Sequence, residues 1–367
     1  MRLKIWVGSL CLCIFLGLVT LFQIYTRGFA VYAKTDVLVW TLPLASYIFF
    51  SLTSAGLAFV SSIPVVFGIK RYETIKKRTM FLELAVLLGS FVCLIMHLGS
   101  PLNLVYVLLS PNLASPLWWM GALYTLYLVL LLGAFRQLHS RKSIYGLSVM
   151  IFLVAIATST TLGWLMGMAD ARPSLNPSYL TMYFPLTAFA CGLAALLLAG
   201  LLSGYFTGNP ADADTAGLYD EIARILGFTS ALVLILLLWR SVIGGGSSDD
   251  LGFSAFKQMM GSIPFHIQLW IGLFVPCILL LSSGLRQNFR LKVTAASLVL
   301  IGMLAGRLEF ILSSEIMPLG QMAENLPDFV SYMPTASEWF VTLFGLSVVL
   351  LVYTLGDHYF RLDETPE

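Results

Sequence analysis

The sequence predicts an all-α, polytopic helical membrane protein with about ten transmembrane helices, and three observations carry that prediction. Of its 367 residues, 58% are hydrophobic and only 11% are charged, whereas a soluble domain carries about 25% charged residues. The mean hydropathy is +0.88. The apolar residues stand in ten blocks, each near or above the roughly 20 residues that cross a bilayer as a helix. These run over 4–26, 37–69, 79–99, 114–137, 143–168, 179–206, 221–241, 264–285, 291–313 and 337–356. A disordered polypeptide is excluded, because this much apolar surface buries itself. The net charge of +2 is too small to draw a nucleic acid. Cys11, Cys13, Cys93, Cys191 and Cys277 all fall in apolar blocks without a Cys-x-x-Cys pair, so neither a disulfide framework nor a metal site is visible.

Taken in order, the first block follows Arg2 and Lys4 but is too long for a signal core and lacks an Ala-x-Ala site, so it reads as an uncleaved helix. The second and sixth blocks are long enough to tilt. Gly208-Asn209-Pro210-Ala211-Asp212-Ala213-Asp214 is a polar break and a candidate hinge. Gly244 to Asp250 opens a longer loop before the eighth block, and the acidic stretch 314–336, with Glu315, Glu324 and Asp328, is where an outer partner would dock. Pro43, Pro185 and Pro276 read as interruptions of their spans. A faint echo between Leu42-Pro43-Leu44 and Phe184-Pro185-Leu186 fits a parallel repeat. The expectation is therefore one integral membrane domain over 1–367, built as two four-helix bundles plus flanking helices. In that division 36–206, preceded by helix 4–26, holds the first bundle and 219–356 the second.

Lysines and arginines set the orientation, because cytoplasmic loops are enriched in them. Fifteen fall on the side that holds both termini and five on the other, with Arg307 alone inside a span. Both termini are expected in the cytoplasm.

Ionisable groups inside a bilayer are costly and need a reason. Counted from Met80, His97 lies about 26 Å along the third helix at 1.5 Å per residue, which is near the outer face. Arg307 and Glu309 occupy the last turns of the ninth helix, Asp170 ends the fifth and Glu338 begins the tenth. These five groups share one depth. Arg307 and Glu309, two residues apart, point to nearly opposite faces of their helix. Glu83 reads as interfacial, just inside the cytoplasmic end. Histidine pairs for haem, His97 with His266 or His139 with His358, are poorly placed, since His139 and His358 sit at helix ends and His266 just beyond Pro264. Trp40, Trp118, Trp119 and Trp339 form an aromatic belt in which a tryptophan could also stack on a flat headgroup.

Three stretches resemble the NrfD/PsrC family, membrane subunits of polysulfide-reductase-like respiratory complexes. The first is Trp40-Thr41-Leu42-Pro43-Leu44-Ala45-Ser46-Tyr47-Ile48-Phe49-Phe50, with Ala55-Gly56 later in the same helix. The second is His97-Leu98-Gly99-Ser100-Pro101, followed by Ser115-Pro116-Leu117-Trp118-Trp119-Met120-Gly121, where Met120 departs from the family pattern. The third is Gly302-Met303-Leu304-Ala305-Gly306-Arg307 with Tyr332-Met333-Pro334-Thr335-Ala336-Ser337-Glu338-Trp339. The segment 143–290 matches only by hydropathy.

The resemblance implies a protein of the bacterial inner (cytoplasmic) membrane with a menaquinone (quinone) site near the outer face. It also implies a ferredoxin-like iron–sulfur partner, an extracytoplasmic catalytic subunit, and no haem or iron–sulfur cluster in this polypeptide. Oxidising a quinol releases two protons and two electrons, so His97, Asp170 and Glu338 are the candidate proton-handling residues. His97, Tyr47, Tyr124, Trp118, Arg307 and Glu309 are the candidate quinone-binding residues. Of these, His97 and Arg307 are the ones that match the family's motifs, while Tyr124 matches only as a fourth-helix tyrosine. No series of buried acids is evident toward the cytoplasm beyond Glu83, so the expected function is a non-pumping quinol-oxidising module. Two rivals stand beside it, a ten-helix secondary transporter and a passive membrane anchor. A transporter places its polar groups at mid-membrane, and here they crowd the outer third.

Overall fold

The computed structural model describes residues 2–140, 142–168, 175–207, 212–247, 250–315 and 329–362. Among the described residues ten helices are long and apolar enough to span a membrane, and the protein is an all-α, multi-pass membrane protein. They are α1 (Arg2–Arg27), α2 (Leu42–Val66), α3 (Glu73–His97), α4 (Pro116–His139) and α5 (Tyr145–Gly167). The remainder are α6 (Pro177–Thr207), α7 (Ala213–Gly245), α8 (Ile263–Leu281), α9 (Phe289–Glu315) and α10 (Ala336–Phe360).

Local chemistry fixes several boundaries. Pro43 sits in the first turn of α2, where its missing N–H leaves no helical bond unmade, so it starts the helix and does not interrupt it. Pro185 does lie inside α6. In α8 the turns from Ile267 to Phe274 are π-helical and end two residues before Pro276, whose ring breaks the normal ladder. The Asp212 carboxylate caps α7 by accepting from Thr215 N at 3.4 Å. That helix runs 33 residues, beyond the expected 221–241 at both ends. Two short helices, Leu104–Leu109 and Asp250–Gly261, occupy segments that carry no long apolar block.

α2 is the hub. Its most apolar 18-residue stretch is 83% buried, and α3, α5, α6, α9 and α10 all pack against it. Gly56 of α2 and Gly192 of α6 meet backbone to backbone, so a Cβ on either would collide with the other helix. α2, α3, α4 and α5 pack in a ring of neighbours, and α6, α7, α8 and α9 pack in another. α10 lies against α3, α2 and α1, on the side of the first ring although it follows the second in sequence. Helices of alternating direction place the start of α1 and the end of α10 at one face, here termed the terminal face. His97 lies at the opposite face.

Candidate functional site

His97 is the last residue of α3, and its Nδ1 is buried without a hydrogen-bond partner. The segment between α1 and α2 folds beside it. The Tyr32 hydroxyl donates to Met96 O at 3.1 Å, and Lys34 Nζ stands 3.9 Å from the Phe29 ring centroid. Burial holds the Lys34 ammonium below the ordinary lysine range, while Glu338 and Glu315 draw it back up. Glu315 in turn accepts from Trp40 N at 2.6 Å, which ties the end of α9 to the entry of α2.

Glu338 divides its two oxygens between two tasks. Oε2 accepts from Thr335 N at 2.7 Å while Thr335 Oγ1 accepts from Glu338 N at 3.3 Å, a reciprocal capping box that starts α10. Oε1 is buried and has no partner, in a residue with no exposed surface.

Further along the interior of the first ring, Tyr47 of α2 and Tyr124 of α4 face each other with ring centroids 6.4 Å apart. The Tyr47 hydroxyl points at Met120 Sδ, 3.6 Å away, and Ser51 lies beside both phenols. Trp118 Nε1 is buried without a partner, while Ser51 hydrogen-bonds the phenols of Tyr47 and Tyr124 and Thr41 that of Tyr332. A buried polar atom left unpaired costs about 1–3 kcal/mol. With His97 Nδ1 and Glu338 Oε1, three such atoms stand on α3, α4 and α10.

Arg307 and Glu309 belong to other surroundings. Arg307 is 2% exposed, donates to Thr187 Oγ1 of α6, and lies over the rings of Phe184 and Tyr183 at 4.6 and 5.7 Å. Gln268, on the π-helical turn of α8, donates to the Tyr183 hydroxyl at 2.7 Å. Glu309 accepts from Arg240 of α7 at 2.8 Å, and Arg240 also donates to Ser313 at 3.3 Å. The structure therefore brings His97, Tyr47, Tyr124, Trp118 and Glu338 to the first ring, and sets Arg307 and Glu309 among α6, α7 and α8. Position along a helix gives depth, whereas the neighbours are decided by rotation about the helix axis and by ring closure. Asp170 lies outside the described residues.

Comparison with known proteins meets this geometry. The family model described as polysulphide reductase, NrfD, matches residues 30–318. The protein belongs to the NrfD family. It is 24% identical to a putative dimethyl sulfoxide reductase membrane subunit of Halobacterium salinarum, over 98% of this sequence and 91% of that protein. It is 24% identical to one of the polypeptides of the polysulfide reductase of Wolinella succinogenes, over 74% and 93%. The Hdr-like menaquinol oxidoreductase integral membrane subunit of Archaeoglobus fulgidus is 23% identical, over 88% and 85%.

In this NrfD-family protein Glu83 is enclosed by neighbouring helices. It has no exposed surface and sits ten residues into α3, about 15 Å from the helix start at 1.5 Å per residue. The Tyr127 hydroxyl donates to its Oε1 at 2.8 Å and Ser61 to its Oε2 at 3.0 Å. The signal that could have found it is spacing: Glu83, Ser90 and His97 recur every seven residues and share one face. Lys34 and Arg240 were legible only as loop charges.

Proposed function

We propose that this protein is the membrane subunit of a respiratory oxidoreductase complex that oxidises a quinol, of the menaquinol class, at the His97 cluster. The electrons pass to an iron–sulfur partner serving a reductase on the extracytoplasmic side. The terminal face is cytoplasmic in this reading, because fifteen lysines and arginines belong to it against five on the other. The observation that carries the proposal is the set of buried polar groups His97 Nδ1, Trp118 Nε1 and Glu338 Oε1 together with two facing tyrosines that share Ser51. The names of the relatives, all parts of reductases or of a menaquinol oxidoreductase, point the same way.

Oxidation of a quinol breaks two O–H bonds and sends two electrons to the iron–sulfur partner. His97 Nδ1 is the acceptor for one proton, since a neutral imidazole with a free ring nitrogen is suited to general-base work. Glu338 Oε1 carries that proton toward the Lys34 loop and out. Tyr124 and Ser51 hold the second oxygen by hydrogen bonds, with Tyr47 beside them, and Trp118 supplies an aromatic face for the headgroup. Arg307 holds the second ring together and adds a fixed positive charge. The test is a photoreactive menaquinone analogue applied to the intact complex. The account expects labelling in 97–124 that excess menaquinone displaces; labelling confined to the helices around Arg307, or none that saturates, contradicts it.

A further inference from the structure

Arg307 stands eighteen residues into α9 and eight from its end, about 12 Å of rise below the His97 face. It is buried, and a guanidinium keeps its charge in any protein setting. Among the described residues no carboxylate lies within ion-pair distance of it. Glu309, the acid nearest in sequence, has both oxygens bound by Arg240, at 2.8 and 3.4 Å. That pair is neutral together, so the second ring encloses one positive charge in excess. The acceptor that Arg307 does find, Thr187 Oγ1, is a neutral hydroxyl whose own proton goes to Tyr183 O at 2.9 Å and Phe184 O at 3.1 Å. The rings of Phe184 and Tyr183 temper the charge through their faces. Nε of Arg307 is nevertheless buried without a partner.

Two further donors stand beside it. The Tyr179 hydroxyl is buried without a partner, and its ring stacks on Tyr183 with centroids 5.0 Å apart and planes at 20°. The Tyr183 oxygen already accepts from Gln268 at 2.7 Å, which leaves its O–H to donate elsewhere. Both phenols lie in the electrostatic field of Arg307 and of Arg240. The local backbone is shaped around this group. Gln268 belongs to the π-helical turns of α8, a register found often at functional sites. Its side chain fills the space where a Cβ on Gly306 would stand, and Gly272 and Gly302 bring α8 and α9 into backbone contact just below.

The cluster therefore presents three N–H and O–H donors and an uncompensated positive charge, with its acid already paired. Water satisfies donors but does not cancel a charge, and an unpaired ion at membrane depth is costly. The excess is a single charge, so the partner that completes the site is monovalent. Aromatic rings close around the guanidinium, which suits an ion without a bulky body. Tyr179 is partly exposed near the start of α6, with Tyr183 one turn and Thr187 two turns further in, so the tyrosines mark the approach from the His97 face.

We propose that Arg307 Nε and the hydroxyls of Tyr179 and Tyr183 hold a monovalent anion of halide size, which serves as the counter-ion of the second ring and ties α9 to α6. The site is separate from the His97 cluster and does not depend on the quinol reading.

The experiment uses the intact complex, purified with gluconate as the sole small anion, and takes bromide as the probe. Crystals grown in bromide should show an anomalous peak between Arg307 Nε and the Tyr179 hydroxyl, and excess chloride should remove it. In thermal melts at constant ionic strength, bromide and chloride should raise the melting temperature saturably, as a ligand of the folded state does, while sulfate should not. Arg307→Gln should lose both the peak and the halide response. Tyr179→Phe keeps the ring stack and the charge, so it tests the site even if Arg307→Gln fails to assemble. It should weaken the apparent bromide affinity about fivefold, the effect of one hydrogen bond. Absence of a bromide peak at Arg307 overturns the proposal. So does a halide response that never saturates, the mark of an adventitious ion only, or one that is unchanged in Tyr179→Phe. Density for a larger molecule on the guanidinium, a lipid or a quinone, overturns it as well.

Discussion

Glu338 caps α10 with one carboxylate oxygen, and in the proposed mechanism the other carries a proton. Its Oε2 closes the α10 capping box while Oε1 is unpaired. Glutamine also serves at this capping position, so Glu338→Gln should leave the melting temperature of the complex unchanged. Quinol turnover should fall on the order of tenfold, in line with loss of a proton-transfer group; unchanged turnover would leave Glu338 with the cap alone. Glu309 behaves oppositely. Its carboxylate arm is 1% exposed and paired with Arg240, and removing one partner of a buried pair costs about 3–5 kcal/mol. Glu309→Ala should therefore destabilise the complex in thermal melts. Pairing it with Arg240→Met should recover most of the loss, and neither change should alter the KM for quinol. At this scale the sequence identified which residues are costly in a bilayer but not whom they meet. The place of His97 at the end of the third helix was legible from position, whereas the Arg240–Glu309 pair joins helices nearly seventy residues apart, which no local pattern encodes.

Helices were the most legible level, because a block of about twenty apolar residues has few alternatives to a spanning helix. Their ends were less so. α7 extends past its apolar block at both ends, since amphipathic turns continue a helix once its ladder is established. The π-helical turns of α8 left no mark in the hydropathy, which does not distinguish hydrogen-bond registers. Close helix contacts do leave a trace in small residues. Gly56 of α2 meets the backbone of Ala188 and Gly192 in α6, and neither backbone can yield as a flexible side group would. Gly56→Val should push the two rings apart at a cost of about 1–3 kcal/mol or more, read as a lower melting temperature and reduced assembly. Gly133, with nothing near its missing Cβ, should accept valine with little change.

Over the whole molecule, ten candidate crossings and the imbalance of basic residues predict one orientation. A reporter domain placed after Phe360 should be active only in the cytoplasm, and one inserted between Leu109 and Pro116 only outside. The reverse result would invert the orientation and move the His97 cluster to the other compartment. The arrangement of helices in the plane was not legible, because hydropathy orders helices along the sequence and says nothing of their neighbours. α10 packing beside α3, far from it in sequence, is the clearest instance, and it is what brings Glu338 toward the His97 cluster. The central claim is that quinol is oxidised at the cluster beneath His97. The most direct test is quinol-analogue oxidation by the intact complex, wild type against His97→Ala, with subunit assembly followed in parallel. The account predicts a fall of about 10²–10⁴ in turnover with assembly preserved; turnover equal to wild type in a fully assembled complex would contradict it.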